Sequence, residues 1–310
     1  MELPDLFPGF ATETVDIGAV KLFARIGGSV DAPPLVLLHG YPETHVMWAG
    51  IAGELARQFR VVIPDLRGYG MSGIAELEPD SAQMSKRAMA ADIVALMARL
   101  GHARFALVGH DRGARVGYRL ALDFSGKLTR LAVLDIVPTI AMWQGMDAQY
   151  GMRAYHWFFL AQPRPLPEML IAAAPVAYLE HTLASWTAGK SLEAFAPAAL
   201  EHYRAAFLQP ERIAATCEDY RAGWAVDRLL DAADHAAGRT IACPVMALWG
   251  GAGFPAERTG AAGEEASPLS IWRQWADQVS GHSIDAGHFV VEENRQETLD
   301  RLMPFLHAPA

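Results

Sequence analysis

One run limits what this chain can become more than any other: Phe105-Ala-Leu-Val-Gly109-His110-Asp111-Arg112-Gly113-Ala-Arg115-Val-Gly117-Tyr118-Arg119. Apolar residues lead into Gly109 and a helical pattern begins directly after it, so the run reads as a buried strand, a tight turn and a helix. Gly109 and Gly113 flank Asp111 with one residue between on each side. That is the small-x-nucleophile-x-small spacing of a strained strand-to-helix turn, where strand and helix backbones approach too closely for a Cβ. Such turns usually carry serine. A carboxylate in its place is already ionised at neutral pH. It attacks carbon without a base, expels a leaving group and becomes an ester on the protein. The plain alternative is that Asp111 only caps the helix N-terminus.

The rest of the chain supplies the context for that turn. Its 310 residues have room for a large core with an insertion, and 52% apolar with 20% charged residues fits a globular protein. A net charge of −9 argues against an open nucleic-acid-binding face. A local positive site would have to gather anions against the overall field. Cys217 and Cys243 sit in unrelated contexts and read as free thiols of a reducing compartment. The opening residues show no signal-peptide pattern, and no apolar run approaches the ~20 residues of a membrane span. A cytoplasmic protein without a membrane partner is the expectation.

In chain order, Thr12–Ile17 and Lys21–Ile26 alternate as an antiparallel pair. Leu35–Leu38 is a buried strand ending in His39-Gly40-Tyr41-Pro42, whose backbone N–H groups could form half of an oxyanion hole. The His39 side chain is expected to bond backbone. Val46–Phe59 has helical spacing, Arg60–Pro64 reads as a strand, and Ser85–Leu100 as a helix stopped by Gly101. Leu131–Pro138 is a further strand with Asp135 near its end. Asp135 could bond backbone in the loop, or orient a histidine. From residue 139 to 240 strand-like runs vanish and helices rich in Trp, Tyr, His and Met take over, which predicts a helical cap. The core, residues 1–138, resumes at 241–310 with strands at Cys243–Gly250 and Val279–Asp285 and a closing helix at Asn294–Leu306. The segment Gly251–Ser267 reads as a glycine-rich loop without an assignable role. Alternating strands and helices with one helical insertion give an α/β fold with a mostly parallel sheet.

Asp111, Asp135 and His288 follow in the order nucleophile, acid, base, each just beyond a predicted strand. That order and context resemble the α/β-hydrolase superfamily. More narrowly, the chain is similar to the fluoroacetate (haloacetate) dehalogenases. The resemblance rests on Gly109–Arg115, His39-Gly40-Tyr41-Pro42 with Thr44–Trp48, Tyr155-His156-Trp157, Cys217–Gly223 and Gly287-His288-Phe289, and it runs nearly end to end. Its elbow is shared with haloalkane dehalogenases and epoxide hydrolases. The paired arginines and the His-Trp of the cap narrow it.

The resemblance implies hydrolytic dehalogenation of a short 2-halo acid, fluoroacetate to glycolate and fluoride. Asp111 would be the nucleophile, His288 the general base and Asp135 its orienting acid. The N–H groups of Tyr41 and Arg112 would form the oxyanion hole. Arg112 and Arg115, three apart at a helix start, share a face, and two guanidiniums hold a carboxylate by forked hydrogen bonds. Otherwise they would form a basic stripe continuing through Arg119, or salt bridges from core to cap. His156, Trp157 and Tyr220 would bind halide through ring N–H, indole N–H and phenol O–H groups. No cluster has metal-ligand spacing, and neither metal nor other cofactor is expected. The expected partner is a small anionic substrate, and family resemblance implies a homodimer. Two rivals stay open. An epoxide hydrolase would use the same Asp and His with cap tyrosines, among which Tyr150, Tyr155, Tyr178, Tyr203 and Tyr220 are available. A non-catalytic hydrolase-fold protein would only bind a small acid.

Overall fold

The computed structural model describes residues 3–76, 80–255, 258–259 and 265–308. Strands β1 (Ala11–Asp16), β2 (Lys21–Gly27), β3 (Pro34–Leu38), β4 (Arg60–Pro64), β5 (Phe105–His110), β6 (Leu128–Leu134) and β7 (Val245–Gly250) build most of the main sheet. A short pair, β8 (Arg258–Thr259) and β9 (Glu265–Ala266), precedes the last strand, β10 (Val279–Ile284). The main sheet has the order β1-β2-β4-β3-β5-β6-β7-β10. Only the β1–β2 and β2–β4 pairings are antiparallel; from β4 onward every pairing is parallel. The central strands β3, β5, β6 and β7 are buried on both faces, which explains their continuous apolar runs.

The core helices are α1 (Ala49–Leu55), α2 (Lys86–Arg99) and α3 (Asp111–Asp123). Then follow eight helices without a strand between them: α4 (Thr139–Gln144), α5 (Ala148–Arg153), α6 (Tyr155–Leu160), α7 (Leu166–Ala172), α8 (Pro175–Trp186), α9 (Pro197–Phe207), α10 (Pro210–Ala222) and α11 (Arg228–Ala236). A π-helical turn, Gly223–Asp227, joins the last two. Short α12 (Pro268–Trp272) and α13 (Val290–Glu293) and the closing α14 (Arg295–His307) return to the core. No helix among the described residues is long and apolar enough to cross a membrane. Cys217 and Cys243 are free.

Three sequence expectations shift. The helix expected over Val46–Phe59 starts as a 3-10 turn at His45–Trp48 and ends at Leu55, where the backbone turns to feed β4. The strand expected at Leu131–Pro138 runs from Leu128 to Leu134; Asp135 breaks it with a left-handed φ of 51°. The loop at Gly251–Ser267 carries the β8–β9 pair, with residues 256–257 and 260–264 outside the described set.

Buried ion pairs fasten the helical insertion to α3. Arg119 pairs with Asp234, Tyr118 donates to Asp231 at 2.8 Å, and Arg112 holds Asp219 of α10. The arginine row of α3 is therefore not a solvated stripe, and all three guanidiniums are buried.

Candidate active site

The turn after β5 delivers Asp111 with φ of 42°, a conformation that a non-glycine residue keeps only when its surroundings enforce it. The close approach is real. A Cβ on Gly113 would lie 2.4 Å from the Leu38 carbonyl oxygen, and one on Gly109 2.6 Å from Ala114 Cα. Asp111 is the first residue of α3, where the helix dipole favours an anion. The Tyr41 N–H donates to Asp111 Oδ2 at 3.0 Å. Burial pushes the Asp111 carboxyl up. His288, Arg112 and Arg115 outweigh it and hold the group below the ordinary carboxylate range. The carboxylate is thus ionised at neutral pH.

Asp135 does both things its sequence context allowed. Its Oδ1 accepts the Gly250 N–H at 2.9 Å, and its Oδ2 lies 2.5 Å from His288 Nδ1. Gly253 leaves room for that carboxylate, since a Cβ there would be 2.3 Å from Oδ1. His288 Nε2 is buried and has no hydrogen-bond partner. The backbone holds the ring from two sides: the His288 N–H donates to Trp186 O at 2.9 Å, and His110 Nε2 donates to the His288 carbonyl at 2.9 Å. His39 bonds backbone as expected, with Nε2 accepting from Leu66 N–H at 3.0 Å and Nδ1 donating to Gly40 O at 2.9 Å.

The two arginines do not play one part. Arg115 lines the same narrow space as Asp111 and His288. Its Nη1 donates to Val137 O at 2.9 Å and Thr139 Oγ1 at 3.2 Å, and its guanidinium lies 4.6 Å over the Trp157 ring. Nε of Arg115 is buried without a partner. Arg112 instead faces the cap. Its Nε and Nη2 donate to the two carboxylate oxygens of Asp219 at 2.9 and 2.5 Å, and Nη2 also reaches the Asp219 carbonyl at 2.9 Å. Of the two readings open for these arginines, Arg112 takes the salt bridge from core to cap, while Arg115 lines the space beside Asp111. Arg112 does not line the space around Asp111, and of its three nitrogens only Nη1 lacks a partner. The reason is a buried acid within the cap that also accepts from Lys86 and from Tyr69 O–H.

His156 and Trp157 of α6 line the space beside Asp111, and Tyr220 lies one layer back, its ring 5.7 Å from His156 and 5.9 Å from Trp157. Burial holds the His156 imidazole well below its usual range, so it is a neutral ring, and its Nδ1 has no partner. Burial, and next the Asp111 charge, hold the Tyr220 phenol well above its usual range. Ile136, Val137, Met142, Trp186, Phe254 and Pro255 close the remaining wall. The space between them is narrow, with room for about one water.

Several residues here carry no sequence signal of their own. Trp186 and Phe254 are ordinary aromatics in a helix and a loop, yet both rings stand 5.3 Å from the His288 ring. Asp219 sits beside Tyr220 in α10, and nothing local marks it as the partner of Arg112. Buried Glu43 and half-buried Glu292 lie behind His110, with Glu43 Oε2 3.1 Å from His110 Nδ1 and Tyr203 O–H donating to Glu292 at 3.0 Å.

Residues 33–295 match the family model described as alpha/beta hydrolase fold. A fluoroacetate dehalogenase from Burkholderia sp is 40% identical over 97% of this chain and 95% of the relative. A soluble epoxide hydrolase from Corynebacterium sp is 30% identical over 88% of this chain and 89% of its own length. Among solved structures, a candidate epoxide hydrolase from Pseudomonas aeruginosa superposes with a TM-score of 0.89 at 45% identity, covering 98% of this chain and 97% of that one.

Proposed function

The chain belongs to the α/β-hydrolase fold family, and we propose that within it the protein is a hydrolytic dehalogenase of short 2-halo acids. The observation that carries this reading is Arg115. It is a buried guanidinium without a carboxylate partner among the described residues, lining the same narrow space as an ionised Asp111. A cation so placed takes up the acid end of a substrate and offsets the repulsion between two anions. Arg112 adds its one free nitrogen and the field of its charge.

In the proposed reaction an Asp111 carboxylate oxygen attacks the carbon bearing halogen, the carbon–halogen bond breaks and halide departs toward His156 and Trp157, with Tyr220 behind them. The product is an ester between Asp111 and the 2-hydroxy acid. His288 Nε2, oriented by Asp135, takes a proton from water. The hydroxide attacks Cγ of Asp111, and the oxyanion meets the N–H groups of Tyr41 and Arg112. Collapse breaks the ester bond, His288 gives its proton to the departing alkoxide, and the 2-hydroxy acid leaves with the Asp111 carboxyl restored carrying one oxygen from water. Fluoride needs the most help as a leaving group, because directed donors must replace the water that would solvate it.

An epoxide hydrolase is the second reading, favoured by the shared Asp/His/Asp core and by buried Tyr41, Tyr178 and Tyr220, of which Tyr41 O–H donates to Tyr178 at 3.3 Å. No tyrosine is among the residues lining the space next to Asp111, and an epoxide has no use for a buried guanidinium. Exposure to fluoroacetate, chloroacetate and styrene oxide decides between them. Halide release is expected from the acids, with a His288→Asn variant accumulating an adduct on Asp111 by mass spectrometry and Asp111→Asn accumulating none. Diol formation without halide release would establish the epoxide reading. Haloacetate binding without any halide release would leave a non-catalytic small-acid binder.

A further inference from the structure

A second cavity of about 560 Å³ opens on the outer side of the Trp186–Phe254 wall. Both rings line the inner space and the outer one, and they meet edge to face with centroids 5.1 Å apart. The outer cavity is lined by Arg153, Lys190 and His181, and no acidic side chain is among its described lining residues. In a chain of net charge −9, two like charges converging on one mouth call for a cause.

Backbone carbonyls hold them there. Arg153 Nη2 donates to the carbonyls of Ala252 and Gly253 at 3.2 and 3.3 Å, and its guanidinium lies 5.9 Å over the Phe254 ring. Lys190 Nζ donates to Ser185 O at 2.9 Å from a left-handed turn with φ of 52°. Carbonyl partners fix the cations without cancelling their charge. The two sense each other: burial, and next the Arg153 charge, lower the Lys190 ammonium. Glu293 acts in the opposite direction. Its oxygens are already engaged by the N–H groups of Ala188, Gly287 and Phe289 at 2.7 to 3.0 Å.

We propose that this outer cavity is an anion-collecting vestibule, in which Arg153 and Lys190 concentrate small carboxylates from solution and pass them between Trp186 and Phe254 to Asp111. The inference rests on the haloacid reading and names what the access route selects. Cations gathered at one mouth raise the local anion concentration, and because both are exposed the effect weakens as salt screens them.

The test uses the full chain with Arg153→Gln, Lys190→Gln and the double variant, and Lys21→Gln as an exposed control elsewhere. Halide release from chloroacetate is followed at about 10 mM and about 300 mM salt. For the double variant at low salt, kcat/KM falls about fivefold while kcat holds, and the salt dependence of the parent enzyme flattens. Lys21→Gln behaves as the parent. Equal kcat/KM and an equal salt slope in parent and double variant would overturn the proposal. Calorimetric titration with acetate, which cannot react, separates this from a failed haloacid reading. If no haloacetate releases halide, acetate affinity must still drop about fivefold in the double variant at low salt. Absent or unchanged acetate binding removes the vestibule whatever the reaction is.

Discussion

At the scale of single residues, the site depends on which buried charges are balanced and which are not. Asp111 lies below the ordinary carboxylate range, so lowering the pH from 8 to 5 does not protonate it. First-turnover halide release, followed by rapid quenching, is expected to keep the same amplitude across that range, and a loss near pH 6 would assign the attack to another group. Asp219 is a different case. It is fully buried, its pKa is held down by Arg112 and Lys86 against burial, and it accepts from Tyr69 as well. Asp219→Asn leaves two buried cations without their counter-ion. A loss of about 3–5 kcal/mol in urea unfolding is expected. A depressed pKa of this kind adds stability above the unfolded value near 4, and that stability is lost as pH falls through the lower folded value.

At the scale of elements, the β5-to-α3 turn and the strand ends beside it do the positioning. Gly113 lets α3 pass within contact of the β3 carbonyls, and no flexible side chain could yield to a new methyl there. Gly113→Ala is expected to cost about 1–3 kcal/mol in thermal or chemical unfolding. Activity should fall further than stability, because the shift moves Asp111. Much of this element logic was legible in the sequence. The strand ends, the glycine spacing around Asp111 and the helical character of 139–240 follow from local periodicity. A salt bridge from core to cap was among the open readings of Arg112, but its partner was not legible, because Asp219 lies 107 residues away on α10. A three-residue spacing says that two side chains share a face, and nothing about what the facing helix brings.

At the scale of the whole molecule, the return of the chain to the core after the helical insertion places α13 against the loop after β3. Buried Glu43 and half-buried Glu292 thereby meet beside His110 and Tyr203. Burial pushes the Glu43 carboxyl up to about 8, and it drives Glu292 well above its usual range with the Glu43 charge adding to the effect. His110 stands between this site and the catalytic histidine candidate, its Nε2 donating to the His288 carbonyl and its Nδ1 3.1 Å from Glu43 Oε2. The folded pKa of Glu43 exceeds the unfolded value of about 4.3. Glu43 therefore contributes its full stabilisation only below about pH 4.3, and that contribution is gone above about pH 8. Raising pH from 6 to 8 is expected to remove roughly 2–3 kcal/mol through Glu43. Glu43→Gln keeps the neutral form at every pH, so its melting temperature should decline less between pH 6 and 9 than that of the parent.

The amino-acid order by itself determined the strand-turn-helix around Asp111, the placing of Asp111, Asp135 and His288 each at a strand end, and the helical insertion, because each is written in its own near neighbours. Tertiary structure alone decided that Arg115 has no carboxylate partner among the described residues beside Asp111 while Arg112 is claimed by Asp219. It also decided that Trp186 and Phe254 stand between an inner space and a cationic outer one. Those outcomes depend on which distant side chains share a buried volume, and burial sets the strength of every charge in it.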